Sequence, residues 1–332
     1  MSDPALTLVT ITDGAYEVCR RSICHFARQT RLDDVELIII CESTETLGEP
    51  DQDDLAGFHS VQTVPIGPLA STGHGLAAGV HAARAPLVGY MEEHSFLPAN
   101  FVDVVLDEMK DPTIGALGYG MVPANPGLVA WAHMFIQFAP AVAPVVAGNA
   151  SVLGGHHAVY RREVLLGYED SLVDITGNEA VLHEDMRHRG VRMVMTDRLT
   201  AEHTQISRLG DLVKQEFISQ RAFAVARSRV LGWSPVRRAV YALGSPLIPF
   251  LRVGRTLEAI RRSGRGKDLM PQILGPMMLG ALAGGAGEGI GYLFGGLDRA
   301  YRARLDYELH RYDYVTSADR RSLPSVPERK IS

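Results

Sequence analysis

The sequence predicts an α/β fold in two parts: a mostly parallel sheet flanked by helices over residues 1–205, then a helical, membrane-associated extension over residues 206–332. Three observations lead there. Short β-rich runs alternate with helix-prone runs through the first part, the rhythm of strand–helix–strand units. One run, VELIII at 35–40, is apolar throughout, the mark of a strand covered on both faces. The charge also changes sign along the chain. Residues 1–205 carry 12 basic against 27 acidic side chains, residues 206–268 carry 13 against 4, and residues 269–332 carry 8 against 7.

The elements follow in order. LTLVTI (6–11) is a first strand, and residues 15 to about 29 form a helix. VELIII is the second strand and HSVQTVPI the third, followed by a small-residue helix around GLAAGVHAARA. PLVGYM (86–91) is the fourth strand and ANFVDVVLDEM the helix after it. Residues 119–150, rich in Pro, Gly and Ala, read as a long excursion, after which HHAVYRREVL returns toward a helix. NEAVLHEDMRHRG is a helix stopped by Gly190, and VRMVM (191–195) a closing strand. Beyond 206, DLVKQEFISQRAFAVARSRVLGW is helix-prone, with Val213, Phe217, Ala224 and Val225 at helical spacing among basic residues. LMPQILGPMMLGALAGGAG (269–287) runs 19 residues without a charge. That is close to the ~20 that span a bilayer, so it reads either as a membrane insertion or as a buried hairpin of the same protein.

At 46% hydrophobic and 21% charged, with no low-complexity tract, the composition is that of a folded chain and excludes a disordered one. Cys19, Cys24 and Cys41 lack metal-type spacing, which predicts a reducing compartment. The start, MSDPALTLVTITDG, lacks a basic segment followed by an apolar core, so no signal peptide is expected. A basic middle segment beside an acidic first part predicts an anionic surface as partner.

Folds of this type bind ligands at the carboxyl ends of their strands. GYMEEHSFLP (89–98) puts Glu92, Glu93 and His94 at such an end. In an extended stretch Glu92 and His94 point to one side and Glu93 to the other. Further on, Glu179 and Asp185 share a predicted helix but lie six residues apart. Six residues are about 600° of rotation, roughly 120° short of alignment, so the two carboxylates do not share one job.

This order of features resembles the family-2 glycosyltransferases of the GT-A fold over roughly residues 5–205: a strand ending in Thr12-Asp13, VELIIICESTE, a small-residue helix, an apolar strand ending in acids, NEAVLHEDMRHRG and a later His203. The resemblance implies a nucleoside-diphosphate sugar donor, with Thr12, Asp13 and Glu42 around its base and ribose; Cys41 stands where an acid is common. STGHGLAAGVHAARA takes the place of a glycine-bearing segment that usually contains Arg-Asn. Leu76-Ala77 replaces that pair, which leaves Gly73 and His74 as the implied donor contacts there. MEEH stands where the family carries its DxD motif. Glu92 and His94, with His203 from LTAEH, are therefore the implied ligands of a divalent cation, and Glu93 a donor contact. Mg²⁺ prefers oxygen ligands, whereas Mn²⁺ accepts imidazole alongside carboxylate. Counting back from Gly190 through Met186 to Leu182 places the family's acid pair on Asn178-Glu179, so Glu179 is the implied catalytic base and Asp185 the alternative. GGHHAVYRR precedes it and implies His156 and His157 on the acceptor side.

The implied activity is an inverting sugar transfer to a lipid-linked or polysaccharide acceptor hydroxyl at the cytoplasmic face of a membrane. The extension would rest on anionic lipid, with no nucleic acid as partner. The replaced DxD and Arg-Asn positions keep open a second reading, a non-catalytic relative acting as a membrane-bound binding or assembly subunit.

Overall fold

Leu6–Thr12 (β1) and Val35–Cys41 (β2) are buried at every residue, as strands covered on both faces must be. They pair in parallel without a break, from Leu6 opposite Val35 to Thr12 opposite Cys41. The computed structural model describes residues 3–327. Along the chain come Ser60–Pro65 (β3), Leu87–Tyr90 (β4), Ser95–Phe96 (β5), Ile114–Pro123 (β6), Gly148–Asn149 (β7), Ala158–Arg161 (β8) and Arg192–His203 (β9). Among the described residues these nine strands make one sheet, ordered β3-β2-β1-β4-β8-β6-β9-β5, with β7 also on β9. Glu36 is a charge inside this sheet, and it is satisfied there by the Thr7 hydroxyl and by the backbone and guanidinium N–H groups of Arg84.

The sheet is mixed rather than mostly parallel. β3, β2, β1 and β4 run parallel, but β8 lies antiparallel between β4 and β6, and β5 and β7 are antiparallel to β9. The cause lies in the segment 119–150. It contains the second half of β6 and the helix Leu128–Phe138, and it returns the chain to the same edge at which β4 and β6 end. HHAVYRREVL therefore re-enters the sheet as a strand running the opposite way, and only Arg162–Leu166 is helical. One consequence matters for chemistry. The ends of β4, β6 and β9 and the start of β8 all lie on one edge.

The second part is a helical layer built on Leu209–Val230, Pro235–Gly244, Ile248–Arg262, Leu274–Phe294 and Leu297–Leu309. Leu212, Ile273, Met277, Leu305 and Leu309 join the same hydrophobic core as the sheet. The uncharged stretch 269–287 mostly forms the start of helix Leu274–Phe294, packed inside this layer. Its glycines let it approach its neighbours. A Cβ at Gly287 would stand 2.1 Å from the Phe217 carbonyl oxygen, and one at Gly291 2.6 Å from that of Arg221. Glu288 is buried on it, held by Tyr292 and Arg252. Among the described residues no helix is long and apolar enough to cross a membrane.

Candidate active site

The sheet register assembles the site. After β4 the chain turns through Glu92, Glu93 and His94, all buried, and enters β5. Ser95 of β5 sits opposite His203, the last residue of β9, and Thr204 N–H donates to the His94 carbonyl. Two histidines 109 positions apart thus face each other, Nε2 to Nε2, at 3.1 Å. The third member comes from the β4 exit: Glu92 Oε2 lies 2.8 Å from His203 Nε2 and 3.5 Å from His94 Nε2. His157, on the turn into β8, donates to the same oxygen at 3.1 Å.

The outer sides of these rings are also held. His94 Nδ1 donates to Glu93 Oε1 at 2.8 Å, which leaves its Nε2 lone pair facing the centre. His203 Nδ1 lies 2.5 Å from the Gln205 side-chain amide, and its Nε2–H donates to Glu92. Nε2 would become a ligand once that proton moves to Nδ1 and the amide turns its oxygen, unpartnered among the described residues, to the ring. Burial pushes His94 down to about 3 and His203 well below the ordinary imidazole value, so both rings are neutral. Burial also works against a charged Glu92, yet that carboxyl is held well below its usual range, by the charge of His94 when that ring is protonated at low pH and by the hydrogen bonds from His157 and His203. Burial and the Glu92 charge push Glu93 the other way.

Two neutral imidazoles and an ionised carboxylate converging in a dry site fit a divalent cation. The ligand atoms of Glu92, His94 and His203 lie within 4.8 Å of one another. Mixed nitrogen and oxygen donors suit Mn²⁺ better than Mg²⁺. Glu93 and Gln205 are the outer partners that orient the two rings.

Beside this cluster opens a cavity of about 480 Å³, bordered by Glu92, His156, Glu179, Arg304, Glu308 and Arg311 among others. Glu179 begins the helix Glu179–His188, after Asn178 in an extended conformation, where a carboxylate is favoured by the helix dipole. His183 on the same helix accepts from the Leu153 backbone through Nδ1 and donates from Nε2 to the Tyr160 hydroxyl of β8 at 2.8 Å, which fixes the helix against the sheet. Glu179 is paired with His156 Nδ1. Burial disfavours a charged His156, but the Glu179 carboxylate outweighs it and raises the imidazole above its ordinary value. Gly190 ends the helix at φ +75°, a left-handed position that a side chain would strain.

The remaining residues expected from the sequence fall in several places. Asp185 points away from the cavity and pairs with Arg189, while Glu184 pairs with Arg227. His157 joins the Glu92 cluster, whereas His156 joins Glu179. Thr12 turns its hydroxyl back onto Gly14. Asp13 lies 3.2 Å from His310 of the C-terminal segment. Glu42 accepts from the Leu69 backbone at 3.0 Å. Gly73 serves packing, since a Cβ there would meet the Val173 carbonyl at 2.2 Å, and His74 follows in the same helical turn.

Three cavity residues were not foreseen. Arg304 donates to the Gly177 carbonyl at 2.9 Å and, with Arg311, grips Glu308 at 3.1 Å each. Burial would raise the Glu308 carboxyl, but the two guanidinium groups bring it down to about 2. Arg311 is buried, and among the described residues its Nε and Nη1 have no hydrogen-bond partner. These residues carry no motif. Arg304 and Glu308, four apart, share a side of helix Leu297–Leu309, and Arg311 follows in the 3-10 turn after it.

No protein-family model and no curated protein sequence matches this chain. Solved structures do. The mannosyltransferase PcManGT from Pyrobaculum calidifontis, in complex with GDP-Man and Mn²⁺, is 13% identical over 86% of each chain, with a TM-score of 0.53. S. aureus TarS 1–349, in complex with UDP, is 10% identical over 86% of this chain and 90% of that one, with a TM-score of 0.43. At such identities the likeness is one of fold. The mixed α/β sheet of this chain is similar to that of a glycosyltransferase.

Proposed function

We propose that this protein is a metal-assisted glycosyltransferase that takes a sugar from a nucleoside-diphosphate donor and passes it, with inversion, to a lipid-linked or glycan hydroxyl. The observation that carries the reading is the buried meeting of Glu92, His94 and His203 at the rim of a cavity that also holds Glu179. PcManGT, whose fold is similar, binds GDP-Man and Mn²⁺, which supports a sugar nucleotide and a cation here.

In this reading Glu92, His94 and His203 would hold Mn²⁺ or Mg²⁺, which would supply positive charge for the departing diphosphate. Arg304 and Arg311 border the same cavity and bring the guanidinium charge that Leu76-Ala77, standing in place of Arg-Asn, does not supply. Glu179, paired with His156, accepts the proton of the acceptor hydroxyl while that oxygen attacks the anomeric carbon. The bond from that carbon to the diphosphate breaks as the new one forms, so the configuration inverts.

Calorimetry with GDP and UDP tests the reading. Saturable binding, at least about tenfold tighter with Mn²⁺ and losing that gain in Glu92→Ala or His94→Ala, is the expected result. Binding indifferent to both the cation and these substitutions would overturn it. One observation favours a non-catalytic binding subunit instead: Asp13 and Glu42, the carboxylates expected at the donor, are engaged by His310 and by the Leu69 backbone. Nucleotide binding without release of free nucleotide across a panel of donors and acceptors would select that reading.

A further inference from the structure

The helical layer presents an apolar surface that neither the sheet nor the cavity uses. Helix Pro235–Gly244 buries Ala242 and leaves Val236, Val240 and Leu243 exposed at spacings of four and three, with Leu243 82% exposed. The chain continues through Leu247, Phe250 and Leu251, each more than 60% exposed. Helix Leu274–Phe294 adds Leu279, Leu282 and Leu293, and Phe294 at its end. Of 15 large apolar side chains exposed among the described residues, 10 lie between 236 and 294, so the exposure is concentrated rather than scattered. Such a concentration marks a contact surface.

Charge identifies the occupant. Residues 233–267 carry eight basic side chains and a single acid, Glu258. The outward side of helix Ile248–Arg262 passes from Phe250 and Leu251 near its start to Arg255, Arg261 and Arg262 toward its end. A second copy on a two-fold axis would set this arginine rim against itself, and desolvated like charges oppose that contact. An anionic bilayer complements both halves: the acyl boundary takes the leucines and phenylalanines, and headgroup phosphates take the guanidinium groups.

We infer that the face formed by Val236, Val240, Leu243, Leu247, Phe250 and Leu251, with its arginine rim, docks on an anionic lipid bilayer. Arg252, Arg255 and Arg262 also border the cavity, so docking turns the cavity mouth toward the headgroups. A hydroxyl carried at the membrane surface would meet Glu179 from that side.

Flotation of the full chain with lipid vesicles, without donor or acceptor, tests this independently of sugar transfer. The chain is expected to float with phosphatidylcholine vesicles containing phosphatidylglycerol. The bound fraction should fall about tenfold on pure phosphatidylcholine, and again in high salt. The pair Leu243→Ser and Phe250→Ser should lower it about tenfold on the anionic vesicles, as should Arg237→Glu with Arg261→Glu. All four positions are exposed, and circular dichroism checks that each variant folds. Equal flotation with and without phosphatidylglycerol, or no loss in either variant, overturns the inference. So does a wild-type dimer in light scattering that the Leu243/Phe250 pair dissociates while vesicles capture nothing, because the face would then belong to a second copy.

Discussion

Replacing Gly287 by Ala asks whether the uncharged stretch is a packed helix of this protein. In the middle of an exposed helix, glycine to alanine stabilises by ~1 kcal/mol. At Gly287 the sign should reverse. The new Cβ would stand 2.1 Å from the Phe217 carbonyl oxygen and 2.9 Å from its carbonyl carbon, where real Cβ contacts essentially never fall under 3.0 Å. The obstacle is backbone, so helices Leu209–Val230 and Leu274–Phe294 must part by about an ångström, a gap that forfeits a quarter to a half of each dispersion contact between them. Overpacking costs about 3 kcal/mol at the upper end of its usual range, and the helix-propensity gain offsets ~1, leaving a net loss of about 2 kcal/mol. Gly254, inside helix Ile248–Arg262, has open space for 4 Å around the point where a Cβ would stand, and serves as the control. Gly254→Ala should gain about 0.5–1 kcal/mol. Urea denaturation of the three proteins measures both. If Gly287→Ala is as stable as Gly254→Ala, the two helices do not meet as described and the reasoning fails.

Two further expectations follow from the site and from the layer behind it. Glu179→Gln should cut turnover about a thousandfold with nucleotide affinity unchanged. Asp185→Asn, which removes only the outward pair with Arg189, should stay within about twofold; the opposite ranking in a nucleotide-release assay would move the base to Asp185. Behind the cavity, burial raises the Glu216 carboxyl to about 7, with Arg252 only partly opposing. A folded value above the unfolded one means stability that is full below about pH 4.5 and is lost as pH rises through about 7, an effect of up to ~3 kcal/mol. Glu216→Gln should flatten that part of the profile and be the more stable protein at pH 8. An unchanged slope between pH 5 and 8 in denaturation curves would refute the assignment.

β1 to β4 were legible as apolar or β-branched runs because each is long enough, or bounded clearly enough, for strand to beat helix. β8 was not. Ala158–Arg161 is four residues long and runs directly into Arg162–Leu166, and so short a run has no period that separates the two states. Helix Leu128–Phe138 was hidden for a related reason: it is largely buried, with Ala130 to Phe135 all inside, so it lacks the polar face that would reveal it. For 269–287, glycines that admit a neighbouring helix and residues that face lipid look alike on paper, since both are small or apolar and uncharged. At the site, Glu92, His94 and His203 could be picked out by their order. Their convergence could not, because it depends on Ser95 pairing with His203. Arg304, Glu308 and Arg311 come from a segment with no motif and reach the cavity only through the tertiary fold.

The pairing of β6 with β9 slips between Tyr119–Thr196 and Gly120–Thr200, so three residues of β9 loop out before the strand resumes toward His203. Side chains alternate faces along a strand, and the pairs from Gly120–Thr200 to Pro123–His203 fix the face on which the His203 ring lies. The looped-out residues take up length without passing it on, so an insertion in 197–199, with the flanking pairs kept, leaves the ring in the cluster. One residue inserted between 200 and 203 has no such absorber: it would carry His203 past Pro123 and turn its ring to the other face. Tolerance to length change along β9 thus ends where the second run of pairs begins, three residues before the ring that meets Glu92.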